Sequence, residues 1–181
     1  ISTMLSTAGN TKRTDSNGWY KEDFDTHKDS LPHVTLLKIN KVLESLQDTN
    51  VIAEIGLLME KDIADKNTEY GGLVNLRKDG RAFFDFYAPR AANSDGSYVY
   101  ALSHIKDSIK SIATFHFHAL EHEQSEYAGP SGKPDSPGGD LGVVHLIRTD
   151  GIVITAIGKG RFNVDYYTPN QQVIDLGNYN Y

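Results

Sequence analysis

The sequence predicts an α/β domain of the α+β kind, in which helices flank a mixed, mostly antiparallel sheet. Two early stretches, 34–47 and 51–65, space their apolar residues as amphipathic helices do. After residue 71 the apolar period changes to two, which indicates strands. With 181 residues the chain is long enough for one domain with its own core, predicted at 34–181 behind a polar N-terminal arm at 1–33.

The two predicted helices differ in how clearly their spacing defines them. The first, 34–47, has helical spacing of leucine and isoleucine, but its first half, rich in Val, Thr and Leu, also fits a strand. The second, 51–65, carries one continuous apolar face, and Thr49 or Asn50 is its candidate N-cap. We therefore expect the clearest helix directly before the first strand.

Turn residues separate the predicted strands. Lys78-Asp79-Gly80 is typical of a tight hairpin turn, and Lys159-Gly160 joins the last predicted pair. The elements in chain order are strands at 72–77, 81–88 and 98–101, a helix at 102–111, a buried strand at 111–118, a loop at 119–139, a short helix from Asp140, and closing strands at 151–158 and 161–167.

Composition narrows the classes of function. The net charge is −6 and no basic stripe is present, which argues against duplex nucleic acid as a partner. No apolar run approaches the roughly 18 residues that a membrane span needs, so no membrane partner is expected. The chain has no cysteine, and any metal ion must therefore be held by His, Asp or Glu.

The strongest chemical signal is a histidine pair inside a predicted strand. Side chains alternate faces along a strand, so His116 and His118 project the same way while Phe115 and Phe117 face the core. Two imidazoles leave a zinc ion in need of a third protein ligand, and Asp140 can supply a carboxylate once the loop folds back. The spacing predicts one zinc ion at these three polar residues.

A hydrolytic zinc site also needs a general base close to water. Glu69, at the junction between the second helix and the first hairpin strand, is the candidate. A glutamate at a helix end is also commonly a plain surface residue, and that alternative stays open.

Three blocks of sequence, in this order, resemble one known family. They are EYGGLV at 69–74, FHFHA at 115–119 and DSPGGDLG at 135–142. Their order is similar to that of the JAMM metallopeptidases of the MPN/JAB superfamily, and above all to its divergent bacterial branches. The resemblance covers about 50–167 and implies a JAB/MPN-like mixed sheet flanked by helices.

The resemblance also implies a role for each matching residue. His116, His118 and Asp140 would bind one zinc ion, and Glu69 would take a proton from water and pass it to the leaving amine. Ser136 would donate a hydrogen bond to the oxyanion. The implied activity is hydrolysis of a peptide or isopeptide bond in a peptide or protein substrate.

The sequence departs from the family pattern in three places. Ala119 stands where the family has proline, and the loop that follows is longer than usual. Ser136 and Asp140 are separated by one residue more than in the family's S-x-x-D block. Ser131, with the same spacing to Asp135, is a competing serine–aspartate pair.

Other interpretations remain beside the peptidase. Residues 118–122 read H-x-x-E-H, an inverted zinc-protease motif, but that motif needs one continuous helix and His118 is predicted in a strand. The chain is alternatively a catalytically silent JAB-like scaffold, or a binding module whose 119–139 loop recognises a partner. Four further polar residues are predicted not to act: His104 and His145 as packed or surface residues, Asp85 and Asp165 as solvent-facing.

Overall fold

The computed structural model describes residues 22–23, 28–65, 68–87, 111–119, 129–132 and 138–181. Within these ranges lie three helices: α1 (His33–Ser45), α2 (Thr49–Ala64) and α3 (Gly139–Ile147). The same ranges hold the strands β1 (Glu22–Asp23), β2 (Gly71–Leu76), β3 (Ala82–Tyr87), β4 (Ala113–His118), β5 (Asp150–Gly158), β6 (Arg161–Tyr167) and β7 (Val173–Asn180). The strand predicted at 98–101 lies outside the described residues, as does the helix predicted at 102–111 except for its last position.

Both early helices are confirmed, with one correction at a cap. The first predicted helix is helical from its start, so the strand alternative for its first half is wrong. The N-cap of α2 is Asp48 rather than Thr49 or Asn50, because the Asp48 carboxylate accepts the backbone N–H of Asn50 at 2.9 Å. No helix in the described part of the chain is long and apolar enough to cross a membrane.

The strands form one mixed sheet in the order β1-β7-β6-β5-β4-β2-β3. The pairs β4–β5 and β1–β7 are parallel, and the other four are antiparallel. Helix α3 lies in the connection between the parallel strands β4 and β5, as parallel neighbours require a crossover. The predicted α+β class, with a mixed sheet flanked by helices, is therefore confirmed.

The two faces of the sheet are covered by different helices. On one face, Phe115 and Phe117 of β4 are fully buried in a core that includes Ile39 of α1 and Ile55 of α2. We call the opposite face, which carries His116 and His118, the site face. Helix α3 packs there: Leu141 and Val144 form a smaller core with Val153, Tyr167 and Val173. The register places Val153 of β5 beside His116, so this second core adjoins the histidines.

The last strand was missed from the sequence. The closing strands predicted at 151–158 and 161–167 correspond to β5 and β6, but β7 follows them and pairs with β6 along its length. Its Asp175, Gly177 and Asn178 are residue types that strands disfavour, which hid it from pattern reading.

One prediction about strand aspartates is wrong. Asp165 is fully buried rather than solvent-facing, because β6 is an interior strand between β5 and β7. Asp85, on the edge strand β3, is half-buried and accepts a hydrogen bond from Asn75 Nδ2 at 3.2 Å. Asp165 pairs with Val153 on the face that α3 covers, so packing across the sheet, which alternation along one strand does not show, encloses this carboxylate.

Candidate metal centre

The paired histidines stand side by side on the site face, at the end of β4. Their two Nε2 atoms are 3.2 Å apart. His116 is almost fully buried, whereas the side chain of His118 is 16% exposed at the strand end. As expected from alternation, Phe115 and Phe117 lie in the core on the other face.

Glu69 is buried rather than on the surface, so its surface interpretation is wrong. It is 4% exposed, and its Oε1 lies 3.8 Å from His116 Nε2. Two backbone hydrogen bonds of the next residue, Tyr70, hold Glu69 in this position. The Tyr70 N–H donates to Asp62 Oδ2 of α2 at 3.1 Å, and the Tyr70 carbonyl accepts the Phe117 N–H of β4 at 3.0 Å.

A glycine lets three strands meet tightly beside this glutamate. Gly72 of β2 lies between β3 and β4, and a Cβ added there would sit 2.0 Å from the carbonyl oxygen of Asp85 and 3.0 Å from the Phe115 ring. Since no side chain fits at that distance, a glycine at position 72 is needed for β2 to run close to β3 and β4.

Glu69, His116 and His118 form a group that is compatible with a metal site. Each offers one ligand atom, and these atoms all lie within 4.8 Å of one another. They come from two separate segments of the chain, the junction before β2 and the end of β4, which the sheet brings together. Convergence of imidazole and carboxylate donors from different elements is what a metal-binding group requires.

Asp140 reaches the same point from α3. It is the second residue of that helix, which begins where the sequence predicted a short helix. Its Oδ1 lies 3.1 Å from His116 Nε2, and its Oδ2 lies 3.4 Å from His118 Nε2. The loop after β4 therefore does return the aspartate to the histidine pair.

These separations can be compared with the spacing of zinc ligands. With bonds of about 2.0–2.1 Å in a tetrahedral site, neighbouring ligand atoms lie roughly 3.3 Å apart. The two histidine Nε2 atoms, 3.2 Å apart, fit that spacing, and Asp140 contacts each of them with a different oxygen, Oδ1 at 3.1 Å from His116 and Oδ2 at 3.4 Å from His118. The 3.8 Å from Glu69 Oε1 to His116 Nε2 is longer than a ligand–ligand contact. The residues present are therefore compatible with a metal ion.

The histidines govern the charge of Asp140. Burial raises the pKa of this carboxyl, but the charges and hydrogen bonds of His116 and His118 outweigh burial and hold the pKa well below its usual range. The carboxylate is accordingly ionised, and ready to act as a ligand, wherever the protein is folded near neutral pH.

This depressed pKa makes the stability of the metal-free protein depend on pH. Below the unfolded carboxyl pKa of about 3.9, the unfolded chain binds a proton at Asp140 while the folded protein still keeps this carboxylate ionised. The contribution of Asp140 to the free energy of unfolding is therefore complete above that pH and is lost on acidification. We expect wild-type apoprotein to lose more unfolding free energy than Asp140→Asn between about pH 4.5 and pH 2.5, below the range in which free histidines titrate. Urea unfolding at several pH values measures this. Glu44→Gln, at an exposed glutamate, is the control, and equal slopes for wild type and Asp140→Asn would contradict the prediction.

Ser131 contacts Asp140, which no sequence pattern indicated. The Ser131 N–H donates to Asp140 Oδ2 at 2.7 Å, and the Asp140 N–H donates to Ser131 Oγ at 3.1 Å. The sequence had paired Ser131 with Asp135 and Asp140 with Ser136. Asp135 and Ser136 both lie outside the described residues. No sequence motif used above pairs a serine with an aspartate nine residues later, so the contact could not be predicted from spacing.

The other histidines that the sequence analysis considered are not part of this group in the described residues. His145 is exposed on α3, with Nδ1 3.0 Å from the Pro169 carbonyl oxygen, in agreement with its prediction as a packed or surface residue. His118 is the last residue of β4, which is inconsistent with the continuous helix that H-x-x-E-H needs. His104 and His122 lie outside the described residues.

The sequence was also compared with known families and proteins. No family model matches the chain, and no curated protein matches it. The group formed by Glu69, His116 and His118, with Asp140 beside it, is therefore the main structural indication of function.

Proposed function

We propose that this protein is a JAMM-type zinc metallopeptidase with a JAB/MPN-like fold, which hydrolyses peptide or isopeptide bonds. One observation carries the proposal: a glutamate, two histidines and an aspartate from three separate segments converge on the site face. The order of these residues along the chain, which resembles that of the family, supports the same conclusion.

In this proposal His116, His118 and Asp140 hold one zinc ion. Two imidazoles and a carboxylate are a common ligand set for catalytic zinc, and three protein ligands leave the fourth position to water or substrate. The 3.2 Å between the two Nε2 atoms, and a carboxylate oxygen of Asp140 within 3.4 Å of each of them, support these three as the ligands. When bound, zinc supplies Lewis acidity and lowers the pKa of water toward neutrality.

Glu69 is the proposed general base. Its carboxylate stands farther from His116 than the ligand atoms stand from one another, yet within reach of a water molecule at the centre. It takes a proton from the attacking water and delivers it to the leaving amine nitrogen as the amide bond breaks. Its fixed neighbour Tyr70, held by Asp62 and by β4, limits how far this carboxylate can move.

Ser136 is the proposed hydrogen-bond donor to the oxyanion. Support for Ser136 comes from the sequence resemblance alone, since the residue lies outside the described ranges. A donor placed where negative charge develops is worth several kilocalories per mole in amide hydrolysis.

A structural metal site in a binding module is the second candidate. The observation in its favour is that the Glu69 ligand atom lies within 4.8 Å of those of both histidines. If Glu69 coordinated as a fourth protein ligand, the site would be closed to water, and closed sites stabilise folds rather than catalyse. The partner would then be recognised elsewhere, as proposed for the 119–139 loop.

Removal and return of the metal separates the two candidates. Chelated, dialysed protein is reloaded with one equivalent of zinc and incubated with a library of unstructured peptides and with isopeptide-linked tails. We expect new amine and carboxyl ends, detected by mass spectrometry, from the zinc-loaded protein and none from the chelated protein. Zinc bound by four protein ligands in X-ray absorption, together with no cleavage, would refute the peptidase and support the structural site.

A further inference from the structure

We infer that Ser131 is a positioning residue, which holds the Asp140 carboxylate in the orientation that metal binding needs. This inference rests on the metal centre of the proposed function. It assigns a role to a residue that lies nine positions before Asp140 and outside the motif by which that aspartate was found.

Ser131 and Asp140 are joined by a reciprocal pair of hydrogen bonds. The Ser131 N–H donates to Oδ2 of the carboxylate at 2.7 Å, and Ser131 Oγ accepts the Asp140 N–H at 3.1 Å. This is the bonding pattern of a helix capping box, here formed by a serine from a distant loop. The Ser131 carbonyl also accepts the N–H of Leu141 at 3.2 Å, so the loop is bound to the first turn of α3 by three hydrogen bonds.

The Ser131 backbone N–H fixes which way the carboxylate oxygens point, and Ser131 Oγ, by accepting the Asp140 N–H, holds that backbone N–H against the carboxylate. Oδ2 is shared between the Ser131 N–H and the His118 side, where it lies 3.4 Å from Nε2. Oδ1 is then directed to His116 Nε2, at 3.1 Å. A carboxylate fixed at one oxygen loses its freedom to rotate, and the other oxygen is presented to the centre in one position.

The fold leaves Ser131 little choice of position. At one end of its segment, the Gly129 N–H donates to Thr155 Oγ1 at 3.3 Å, and Thr155 lies opposite His118 in the register of β4 with β5. At the other end, Gly132 and Gly139 touch backbone to backbone. A Cβ on Gly132 would sit 2.6 Å from the Gly138 carbonyl oxygen, and one on Gly139 would sit 2.7 Å from Gly132 Cα.

Segment 129–132 therefore connects the two elements on either side of the centre. It is bound to β5 beside His118 and to the start of α3, which carries Asp140. Outer-sphere partners of this kind orient metal ligands, and their removal typically weakens metal affinity by roughly 10- to 100-fold.

Zinc affinity of the folded protein tests this role. Competition titration with a chromophoric chelator is performed on wild type, Ser131→Ala, Ser131→Thr and Ser131→Val, at a temperature where each variant is folded by circular dichroism. We expect about 10-fold or greater weakening for the alanine and valine variants. The threonine variant keeps the acceptor oxygen and should stay within about 3-fold of wild type, although it has nearly the shape of valine.

A second serine supplies the matched control. Ser45 Oγ of α1 donates to the Ala82 carbonyl at 3.1 Å, away from the centre, so Ser45→Ala should lower stability and leave zinc affinity unchanged. The inference is overturned if wild type binds zinc and both Ser131→Ala and Ser131→Val bind it equally tightly. Failure of wild type to bind zinc would instead refute the metal centre of the proposed function.

Discussion

Glu69→Gln is expected to abolish most hydrolysis while leaving zinc bound. Glutamine has nearly the same volume and fits the buried site, but it cannot accept a proton from water at neutral pH. Loss of a general base costs about 10²- to 10⁴-fold, so kcat should fall by that factor. Steady-state cleavage of a substrate found by the library screen measures the rate, and zinc content per chain is measured on the same samples.

The two measurements on Glu69→Gln must be read together. Retained zinc with lost turnover supports a base that is not a ligand. Retained turnover would eliminate Glu69 as the base. Loss of both turnover and zinc would make Glu69 a ligand and would favour the structural metal site. Glu44→Gln, at an exposed glutamate of α1 paired with Lys41, is the control for losing a negative charge and should match wild type in both measurements.

His118→Ala is expected to remove zinc from the protein without unfolding it. The substitution leaves only His116 and Asp140 of the three proposed ligands, and two ligands do not hold zinc in a protein site. Affinity should fall by more than the roughly 100-fold that the loss of an outer-sphere partner can cost. Because the His118 side chain is partly exposed at the end of β4, its truncation opens no cavity in the main core.

Metal analysis of protein purified without chelator checks this expectation. Wild type should carry about one zinc ion per chain and His118→Ala close to none, with unchanged circular dichroism. His145→Ala, at an exposed histidine of α3, is the matched control and should keep its zinc. Stoichiometric zinc in His118→Ala would show that the ion is bound elsewhere and would remove the basis of the proposed mechanism.

Periodicity predicted those parts of the fold that depend on local spacing. The apolar face of α2 and the alternation of β4 are short-range patterns, and both elements were found with bounds close to the observed ones. Alternation also placed His116 and His118 on one face, apart from the core. Strand β7 was missed because its pairing with β6 compensates for residue types that disfavour strands, and pairing is not visible in local sequence.

The residues of the candidate site likewise divide into those that the sequence predicted and those that depend on tertiary contacts. Asp140 could be proposed because its glycine-rich frame resembles a family block, although nothing local shows that it returns to the histidines. The burial of Glu69 follows from the contacts of Tyr70 with α2 and β4, which are tertiary. Ser131 could not be found, since its bond to Asp140 exists only after the loop has folded onto α3.

The proposed ligands and the proposed base come from different segments of the backbone, which meet at β4. His116, His118 and Asp140 belong to the β4–α3 crossover, whereas Glu69 is placed by the Tyr70 peptide group between α2 and β4. Hydrolysis and metal binding could consequently be lost separately during evolution. A substitution at the α2–β2 junction alone would remove the proposed base and leave the proposed metal ligands in place. In the proposed mechanism, one replacement at Glu69 would thus turn the enzyme into a metal-binding pseudoenzyme.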